Sequence, residues 1–243
     1  MRRKEYKVPK KHQPIFGIVK LILKPFYRCR TVSEIKEIPA KAIVLSNHSK
    51  KSGPVSVELN YPRFNIKWGA HEMLGNYKSR FHYLRDVFYM QKQGMKKSKA
   101  GFKAAIEAIF SKMIYKGMKL IGTYEGAGLV NSLKDSFKVL DAGYTIAIFP
   151  EDSSKGYFET ISSCHGGFIL LAEGYFKKTG EDLPIIPIYY HTKKRKMVIG
   201  TPRYLQQMKA EGKTNEEICN ILKDDINNLF YNYVDDVKRR CRA

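Results

Sequence analysis

The sequence has few acidic residues, few cysteines and no long apolar run. Its 243 residues hold 23 Asp and Glu against 44 Lys and Arg, which gives a formal charge of +21 at pH 7. This excess favours an anionic partner such as a phospholipid surface, a nucleic acid or a phosphorylated cofactor. The four cysteines are far apart and form no CxxC pair. We therefore expect neither a zinc site nor a disulfide framework, and a reducing compartment is favoured.

The apolar segments are too short to span a membrane. Near the N-terminus, Lys20 and Lys24 interrupt the apolar stretch that begins at Pro14, well short of the roughly 18 uncharged residues of a span. A secretory signal would also need a longer apolar core. We therefore predict a cytoplasmic protein. Because 43% of the residues are hydrophobic, the chain is able to form one large domain with a core.

The first 30 residues are the most basic part of the chain, with ten Lys and Arg against one acid, Glu5. A helical period places four apolar residues on one face and two lysines on another: Ile15, Val19, Ile22 and Phe26, against Lys20 and Lys24. This pattern is typical of a helix lying in a membrane interface. An ordinary helix packed on the domain, with a solvated basic tail, is the alternative. We predict a basic amphipathic membrane-contact segment at residues 1–30, followed by the main domain at residues 31–243.

From residue 40 onward, short β-rich runs alternate with helical patterns. This alternation predicts a single α/β domain with a mostly parallel sheet flanked by helices. The predicted strands cover residues 42–46, 144–149, 185–190 and 196–200. Helices are predicted at 101–116, 131–141 and 215–234. The apolar face of the first helix consists of Phe102, Ala105, Ile106, Ile109 and Met113.

Two polar clusters directly follow predicted strands. In open α/β sheets, ligands bind at the carboxyl ends of the strands. The first cluster begins with Asn47 and His48. A histidine just past a buried strand is held rigidly and remains open to substrate, so it is a candidate general base, with a structural histidine as the alternative. The second cluster contains Glu151, Asp152, Ser153 and Lys155. A polar turn with a helix cap is the alternative there.

The two clusters lie about 100 residues apart and resemble motifs of the lysophospholipid acyltransferase family, of the 1-acylglycerol-3-phosphate acyltransferase type. Ser46-Asn47-His48 resembles the opening of the family's NHxxxxD motif. Phe149-Pro150-Glu151 resembles the opening of its FPEGTRS motif. Residues 67–74, 120–124 and 185–188 look like further blocks of the family in the same order. The resemblance implies a glycerolphosphate-acyltransferase-like fold.

The resemblance also implies a reaction. A fatty acyl group would move from a thioester, either acyl-CoA or acyl carrier protein, to the hydroxyl of a lysophospholipid or related lipid, with no bound cofactor and no metal. His48 would act as the general base and Asn47 would fix its loop. Glu151 and Ser153 would bind the polar head of the acceptor. The other candidate substrate contacts are Lys67, Lys155 and His165.

One departure from the first motif concerns the carboxylate that orients the imidazole. Five residues after His48, the place of the family's aspartate is taken by Gly53. We expect another carboxylate to replace it, because an imidazole without its orienting acceptor adopts the wrong tautomer. Glu58 is the first candidate, if a helix begins near Pro54, and Asp152 is the second. A solvent-facing helix residue and a turn cap are the respective alternatives.

Two basic positions of the family are also changed. Glu125 and Ser154 stand where the family usually has arginines, whereas Lys50, Lys67 and Lys155 remain as candidate point charges. A carboxylate at a phosphate site is unfavourable unless another group pairs with it. This change argues against simple lysophosphatidic acid as the acceptor.

Two other classes of protein remain as alternatives. A catalytically inactive relative that only binds lipid would be consistent with Gly53. A nucleic-acid-binding protein would be consistent with the net charge and with the lysines between residues 92 and 103. No nucleic-acid-binding motif is present, so we do not expect a nucleic acid partner. The predicted partners are an anionic membrane surface, a lysolipid acceptor and an acyl thioester donor. The predicted location is the inner face of the membrane, as a peripheral protein.

Overall fold

The structure is a computed structural model that describes residues 6–9, 14–49, 52–124, 126–152 and 156–235. Six residues named above lie outside the described residues, namely Glu5, Lys50, Glu125, Ser153, Ser154 and Lys155, as do residues 1–5 and 10–13 of the predicted membrane-contact segment. The strands of the described part are β1 Arg30–Ser33, β2 Ile43–Ser46, β3 Asn65–Ala70, β4 Ile121–Thr123, β5 Thr145–Ile148, β6 Pro184–His191, β7 Lys196–Ile199 and β8 Arg203–Tyr204.

Helices occupy most of the connections between these strands. The α-helices are α1 Pro14–Tyr27, α2 Ser52–Asn60, α3 Tyr77–His82, α4 Lys97–Met118, α5 Leu129–Asp141, α6 Gly167–Thr179, α7 Leu205–Ala210 and α8 Asn215–Tyr233. Short 3₁₀ turns cover His71–Leu74 and Gly126–Gly128, and a π-helix covers Tyr83–Gln91. None of the helices in the described part of the chain has both the length and the apolarity that crossing a membrane requires.

All eight strands form one sheet in the order β1-β7-β6-β2-β5-β3-β4, with β8 paired to β6. Strand β2 lies near the centre and pairs in parallel with β5 and β6. The β3–β4, β3–β5 and β1–β7 pairs are also parallel, whereas β6 runs antiparallel to β7 and β8. The prediction of a single α/β domain with a mostly parallel sheet is confirmed.

The central strand β2 is buried on both faces, which explains its continuous apolar sequence. Ile43 and Leu45 contribute to a core formed with α5, α6 and α8. Val44 points to the opposite face, where it belongs to a second core with Val57 of α2. Because side chains alternate along a strand, helices on both faces of the sheet are needed to bury these residues.

The four predicted strands correspond to β2, β5, β6 and β7, and the three predicted helices to α4, α5 and α8. The prediction missed β1, β3, β4 and β8. Strands β4 and β8 are only three and two residues long. Strand β3 carries buried polar residues, Asn65 and Lys67, which interrupt the apolar pattern. The prediction of α4 was correct in position, but the large apolar residues of its predicted face, such as Phe102 and Ile109, are exposed in the structure.

The predicted N-terminal helix corresponds to α1. Phe16 is buried in a small cluster with Met118 and Leu120, and Val19 packs against this cluster. Ile15 and two other members of the predicted apolar face are exposed, namely Ile22 and Phe26. Helix α1 thus packs on the domain through Phe16 and leaves apolar side chains in solvent. The division of the chain at residue 30 stays a prediction.

Candidate active site

The parallel pairing of β2 and β5 brings the two polar clusters together. Leu45 of β2 lies opposite Ile148 of β5, so both strands end at the same edge of the sheet. His48 follows β2 and Glu151 follows β5. The main-chain N–H of His48 donates a hydrogen bond to Oε2 of Glu151 at 3.0 Å. Residues 103 positions apart in the sequence therefore meet at the carboxyl edge of the sheet.

Asn47 attaches the start of this loop to the neighbouring strand β6. Its side-chain Nδ2 donates to the carbonyl oxygen of Tyr190 at 2.9 Å, and its Oδ1 accepts from the N–H of Tyr190 at 2.7 Å. Both backbone groups of Tyr190 are thus paired with one buried side chain. Because these contacts continue the β2–β6 pairing, they fix the backbone directly before His48.

The imidazole of His48 is half-buried between two aromatic rings. The ring of Phe149 meets it edge-on at a centroid distance of 5.4 Å, and the ring of Tyr157 lies 5.0 Å away. The next residue, Ser49, has a left-handed backbone with φ of 42°, and its hydroxyl lies 2.7 Å from Oγ1 of Thr192. These contacts hold the imidazole at the wall of a cavity without covering it completely.

The structure gives a steric reason for glycine at position 53, where an aspartate is expected from the family resemblance. The N–H of Gly53 donates to the carbonyl oxygen of His48 at 3.1 Å. A Cβ atom on residue 53 would overlap this oxygen and lie 2.8 Å from the carbonyl carbon of His48. Backbone atoms of a fixed loop cannot move aside cheaply. An aspartate at position 53 is therefore incompatible with this conformation of the loop.

Glu58, the first candidate for the orienting carboxylate, has different partners from those predicted. Its Oε2 contacts the ammonium of Lys67, and its Oε1 contacts the ammonium of Lys20 on α1. Lys67 is fully buried and also donates to Oδ1 of Asn65 at 2.7 Å. Burial lowers the pKa of Lys67, and the Glu58 carboxylate opposes this shift. The structure thus places Glu58 between two lysines, which differs from the predicted contact with His48.

Asp152 and His165 lie on the polar side of the site. Both line a groove that does not include His48. Burial lowers the pKa of Lys92, and the negative charges of Asp152 and Glu151 partly oppose this shift. His165 is exposed, and its N–H donates to the carbonyl oxygen of Pro150 at 2.7 Å. The predicted contacts Ser153 and Lys155 lie outside the described residues.

An apolar cavity of about 520 Å³ adjoins His48. We call it the apolar cavity, and its main hydrophobic walls are Trp68, Met73, Leu84, Phe88, Phe110 and Ile114. Its polar lining includes His48, Lys67 and Glu151. The volume falls within the range of roughly 300–1,000 Å³ that is usual for ligand pockets. A mostly apolar cavity with a few convergent polar groups suits a ligand with a hydrocarbon chain and one reactive polar end.

A second depression has a volume of about 1,220 Å³ and shares a wall with the apolar cavity. Most of its exposed lining is also apolar, but it adds charged side chains such as Glu72, Asp152 and Glu216, and we call it the polar groove for these. Glu151, Phe149 and Lys92 line both spaces. Burial raises the pKa of the Glu151 carboxyl, while the hydrogen bond from His48 and the charge of Lys92 oppose the shift. Glu151 therefore lies at the junction of the two spaces, beside the loop that carries His48.

Sequence reasoning missed two contributors to this junction. The ring of Tyr157 packs on His48, but no local pattern indicates this contact because it depends on the fold of the connection after β5. Lys92 is one of several lysines between residues 92 and 103, and nothing in that segment indicates that it lines both the apolar cavity and the polar groove. Among the residues that the structure describes, no group of three or more His, Cys, Asp or Glu side chains is placed to hold a metal ion.

Neither the protein-family models nor the curated proteins that were compared match this sequence. Among solved structures, the chain is similar to the 1-acyl-sn-glycerophosphate (LPA) acyltransferase PlsC from Thermotoga maritima. The two share 12% sequence identity with a TM-score of 0.47, over 90% of this chain and 84% of that chain. At this level the likeness does not assign a function.

Proposed function

We propose that this chain is a peripheral membrane O-acyltransferase. It moves a fatty acyl group from a thioester donor, acyl-CoA or acyl carrier protein, to the hydroxyl of a lysophospholipid or related lipid. The observation that carries the proposal is the meeting of His48 and Glu151 where the apolar cavity and the polar groove share a wall. An acyl acceptor has an apolar chain and a polar head, and at this site a mostly apolar cavity adjoins a groove whose lining adds charged side chains such as Asp152 and Glu216.

In the proposed reaction, His48 is the general base. The acyl chain of one substrate occupies the apolar cavity, and the lipid hydroxyl approaches the thioester from the polar groove. The imidazole removes the hydroxyl proton as the oxygen attacks the thioester carbonyl. The new ester C–O bond forms, the C–S bond breaks, and the leaving thiolate takes up the proton from the imidazolium. The chemistry needs no bound cofactor.

Lys67 supports the proposal because it is a fully buried cation lining the same cavity as His48. The carbonyl oxygen of a thioester gains negative charge during attack, and a fixed positive charge near it lowers the barrier. Glu58 and Asn65 fix the ammonium of Lys67. We propose that Lys67 contacts the acyl donor or the head group as a positioned point charge.

The polar groove is the proposed site of the acceptor's head group. Its lining includes Glu151, Asp152, Lys92 and His165. In this proposal Glu151 has two roles, since it also anchors the main chain of His48. We propose Ser153 and Lys155, from the same connection, as further head-group contacts.

Membrane association is part of the same proposal. The proposed acceptor is a membrane lipid, and α1 leaves Ile15, Ile22 and Phe26 exposed beside lysines. A helix with exposed apolar residues and basic neighbours is suited to the surface of an anionic bilayer. We propose that residues 1–30 contact the inner face of the cytoplasmic membrane.

The proposal is tested by searching for product. The full chain is incubated with acyl-CoA or acyl carrier protein and a panel of lysolipids on anionic vesicles, and the diacyl lipid is measured by mass spectrometry. We expect a diacyl lipid to form from at least one pair of acyl donor and lysolipid. If no donor and acceptor pair yields a diacyl lipid, the proposed activity is wrong.

A second candidate function is favoured by Gly53. Because this position cannot hold the motif's carboxylate, the chain is also a candidate for a lipid-binding protein without catalysis. Such a protein would bind lysolipid or vesicles but release no thiol from either donor. The two candidate functions therefore differ in thiol release, not in lipid binding.

A further inference from the structure

Helix α4 exposes its large apolar side chains. Phe102 and Ile109 are 72% and 62% exposed, and the same face includes Ile106, Phe110 and Met113. The opposite face of the helix is buried and consists of the small residues Ala100, Ala104, Ala108 and Ser111, with the larger Met118 only at the end of the helix. A surface helix of a soluble domain normally buries its large apolar face. The arrangement in α4 is the reverse, so its outer face requires another explanation.

Helix α1 adds to this surface. It exposes a further five large apolar side chains, Ile15, Ile18, Leu21, Ile22 and Phe26. The two helices are in contact, because Phe16 packs so closely on α4 that a Cβ on Gly117 would overlap its ring. We call the ten exposed apolar side chains of α1 and α4 the apolar platform. They are ten of the sixteen large hydrophobic residues exposed in the described part of the chain.

Charge distinguishes between possible occupants of the apolar platform. The two helices contain seven lysines and a single acidic residue, Glu107. On α4, Lys99, Lys103, Lys112 and Lys116 are exposed and flank the apolar residues. Apolar side chains bordered by lysines match the interface of an anionic bilayer, where each basic residue adds about 1 kcal/mol of attraction. A second copy of this chain would bring like charges together.

The apolar platform is continuous with the apolar cavity. Phe110 is 59% exposed and also lines the cavity. Tyr27, the last residue of α1, and Ile114 of α4 line the same cavity. Phe110 therefore belongs both to the platform and to the wall of the cavity.

We propose that the apolar platform of α1 and α4 docks on an anionic lipid bilayer. Phe110 lies at the opening through which a lipid chain passes from the bilayer into the apolar cavity. Docking itself requires no catalysis, whereas the passage of a substrate chain rests on the proposed acyltransferase function. The contribution of α4 goes beyond a membrane contact confined to residues 1–30.

Vesicle binding by the full chain tests this proposal without any acyl donor or lysolipid. Vesicles of phosphatidylcholine with phosphatidylglycerol are compared with vesicles of phosphatidylcholine alone, by flotation. The variant is Ile109→Gln, because Ile109 lies on the platform and does not line the cavity. Val130→Gln is the matched control, since Val130 is 51% exposed on α5, away from the platform.

We expect wild type to bind the anionic vesicles more tightly than the neutral ones. Ile109→Gln should bind the anionic vesicles about tenfold more weakly, because one large apolar side chain no longer enters the bilayer. Val130→Gln should bind like wild type. If Ile109→Gln binds the anionic vesicles as tightly as wild type does, the proposal is wrong. A wild-type dimer that Ile109→Gln converts to a monomer, seen by sedimentation, would also overturn it, because a second copy would then cover the platform.

These outcomes are separable from failure of the proposed activity. Loss of vesicle binding in Ile109→Gln supports docking even if no diacyl lipid is formed by wild type. Conversely, product formation with unchanged vesicle binding by Ile109→Gln supports the enzyme and refutes docking through α4. Thermal unfolding of each variant confirms that the exposed substitutions leave the fold intact.

Discussion

The main-chain N–H of His48 donates to the Glu151 carboxylate at 3.0 Å, and this bond joins the loops that follow β2 and β5. Glu151 is nearly buried, and burial raises the pKa of its carboxyl. A hydrogen bond to a carboxylate is stronger than one between neutral groups. The position of His48 in the site therefore depends on a residue that follows a different strand, β5.

The first prediction concerns the pH dependence of stability. The Glu151 pKa is raised above its ordinary value of 4.5, so above pH 4.5 the folded chain retains a proton that the unfolded chain releases. The contribution of this carboxyl to the free energy of unfolding therefore falls as the pH rises from 4.5 through the raised pKa. Glu151→Gln keeps an acceptor for His48 and does not ionise.

Urea unfolding at a series of pH values compares the two proteins. We expect the free energy of unfolding of Glu151→Gln, measured relative to that of wild type, to increase as the pH rises above 4.5. A difference between the two that stays constant with pH, or that changes in the opposite direction, would contradict the assignment of a buried, raised-pKa carboxyl.

The second prediction concerns Gly53. Gly53→Ala places a methyl group against the carbonyl of His48, and overpacking of this kind costs about 1–3 kcal/mol. The control is Gly17→Ala, because a Cβ at Gly17 meets no atom within 4 Å and alanine is favoured over glycine in a helix by about 0.5–1 kcal/mol. Urea unfolding should show a lower free energy of unfolding for Gly53→Ala and no decrease for Gly17→Ala.

Gly53→Asp restores the motif in sequence and should not restore it in structure. We expect this variant to be less stable than wild type and no faster in acyl transfer, because the added side chain collides with the loop that carries His48. A stable Gly53→Asp protein with a higher rate of thiol release would show that the loop accepts the motif's carboxylate.

The third prediction concerns the lysine cluster around Glu58. Glu58→Gln leaves the ammonium of Lys67 buried without an opposite charge, which costs about 3–5 kcal/mol. The control is Glu181→Gln, which removes a partly exposed pair with Lys41 and should cost about 1 kcal/mol or less. Equal losses of unfolding free energy in the two variants would be inconsistent with a buried cluster.

The sequence predicts the four neighbouring strands β2, β5, β6 and β7 because most of their residues are buried on both faces of the sheet. Strand β2, for example, is continuously apolar. The prediction fails for β3, where the buried Lys67 pairs with Glu58 of α2 and with Asn65 of its own strand. Periodicity places α4 correctly, but it cannot show which face is turned outward. Helix α4 has alanines on one face and large apolar residues on the other, so tertiary packing decides which face is buried.

The candidate site, like the fold, is predictable from the sequence only in part. The sequence places His48 and Glu151 at the ends of strands, and the parallel pairing of β2 and β5 then brings them together. The partners of Glu58 are not predictable in this way, because Lys67 and Lys20 come from β3 and α1. The contact of Tyr157 with His48 depends on the path that the chain takes after β5.

The central claim is that His48 is the general base for acyl transfer. The most direct test measures thiol release from acyl-CoA and acyl carrier protein with the lysolipid panel on anionic vesicles. His48→Ala is compared with wild type and with His82→Ala, a variant of an exposed histidine on α3 that lines neither the apolar cavity nor the polar groove. We predict loss of lysolipid-dependent thiol release in His48→Ala and wild-type release in His82→Ala. Undiminished release by a folded His48→Ala protein would contradict the claim.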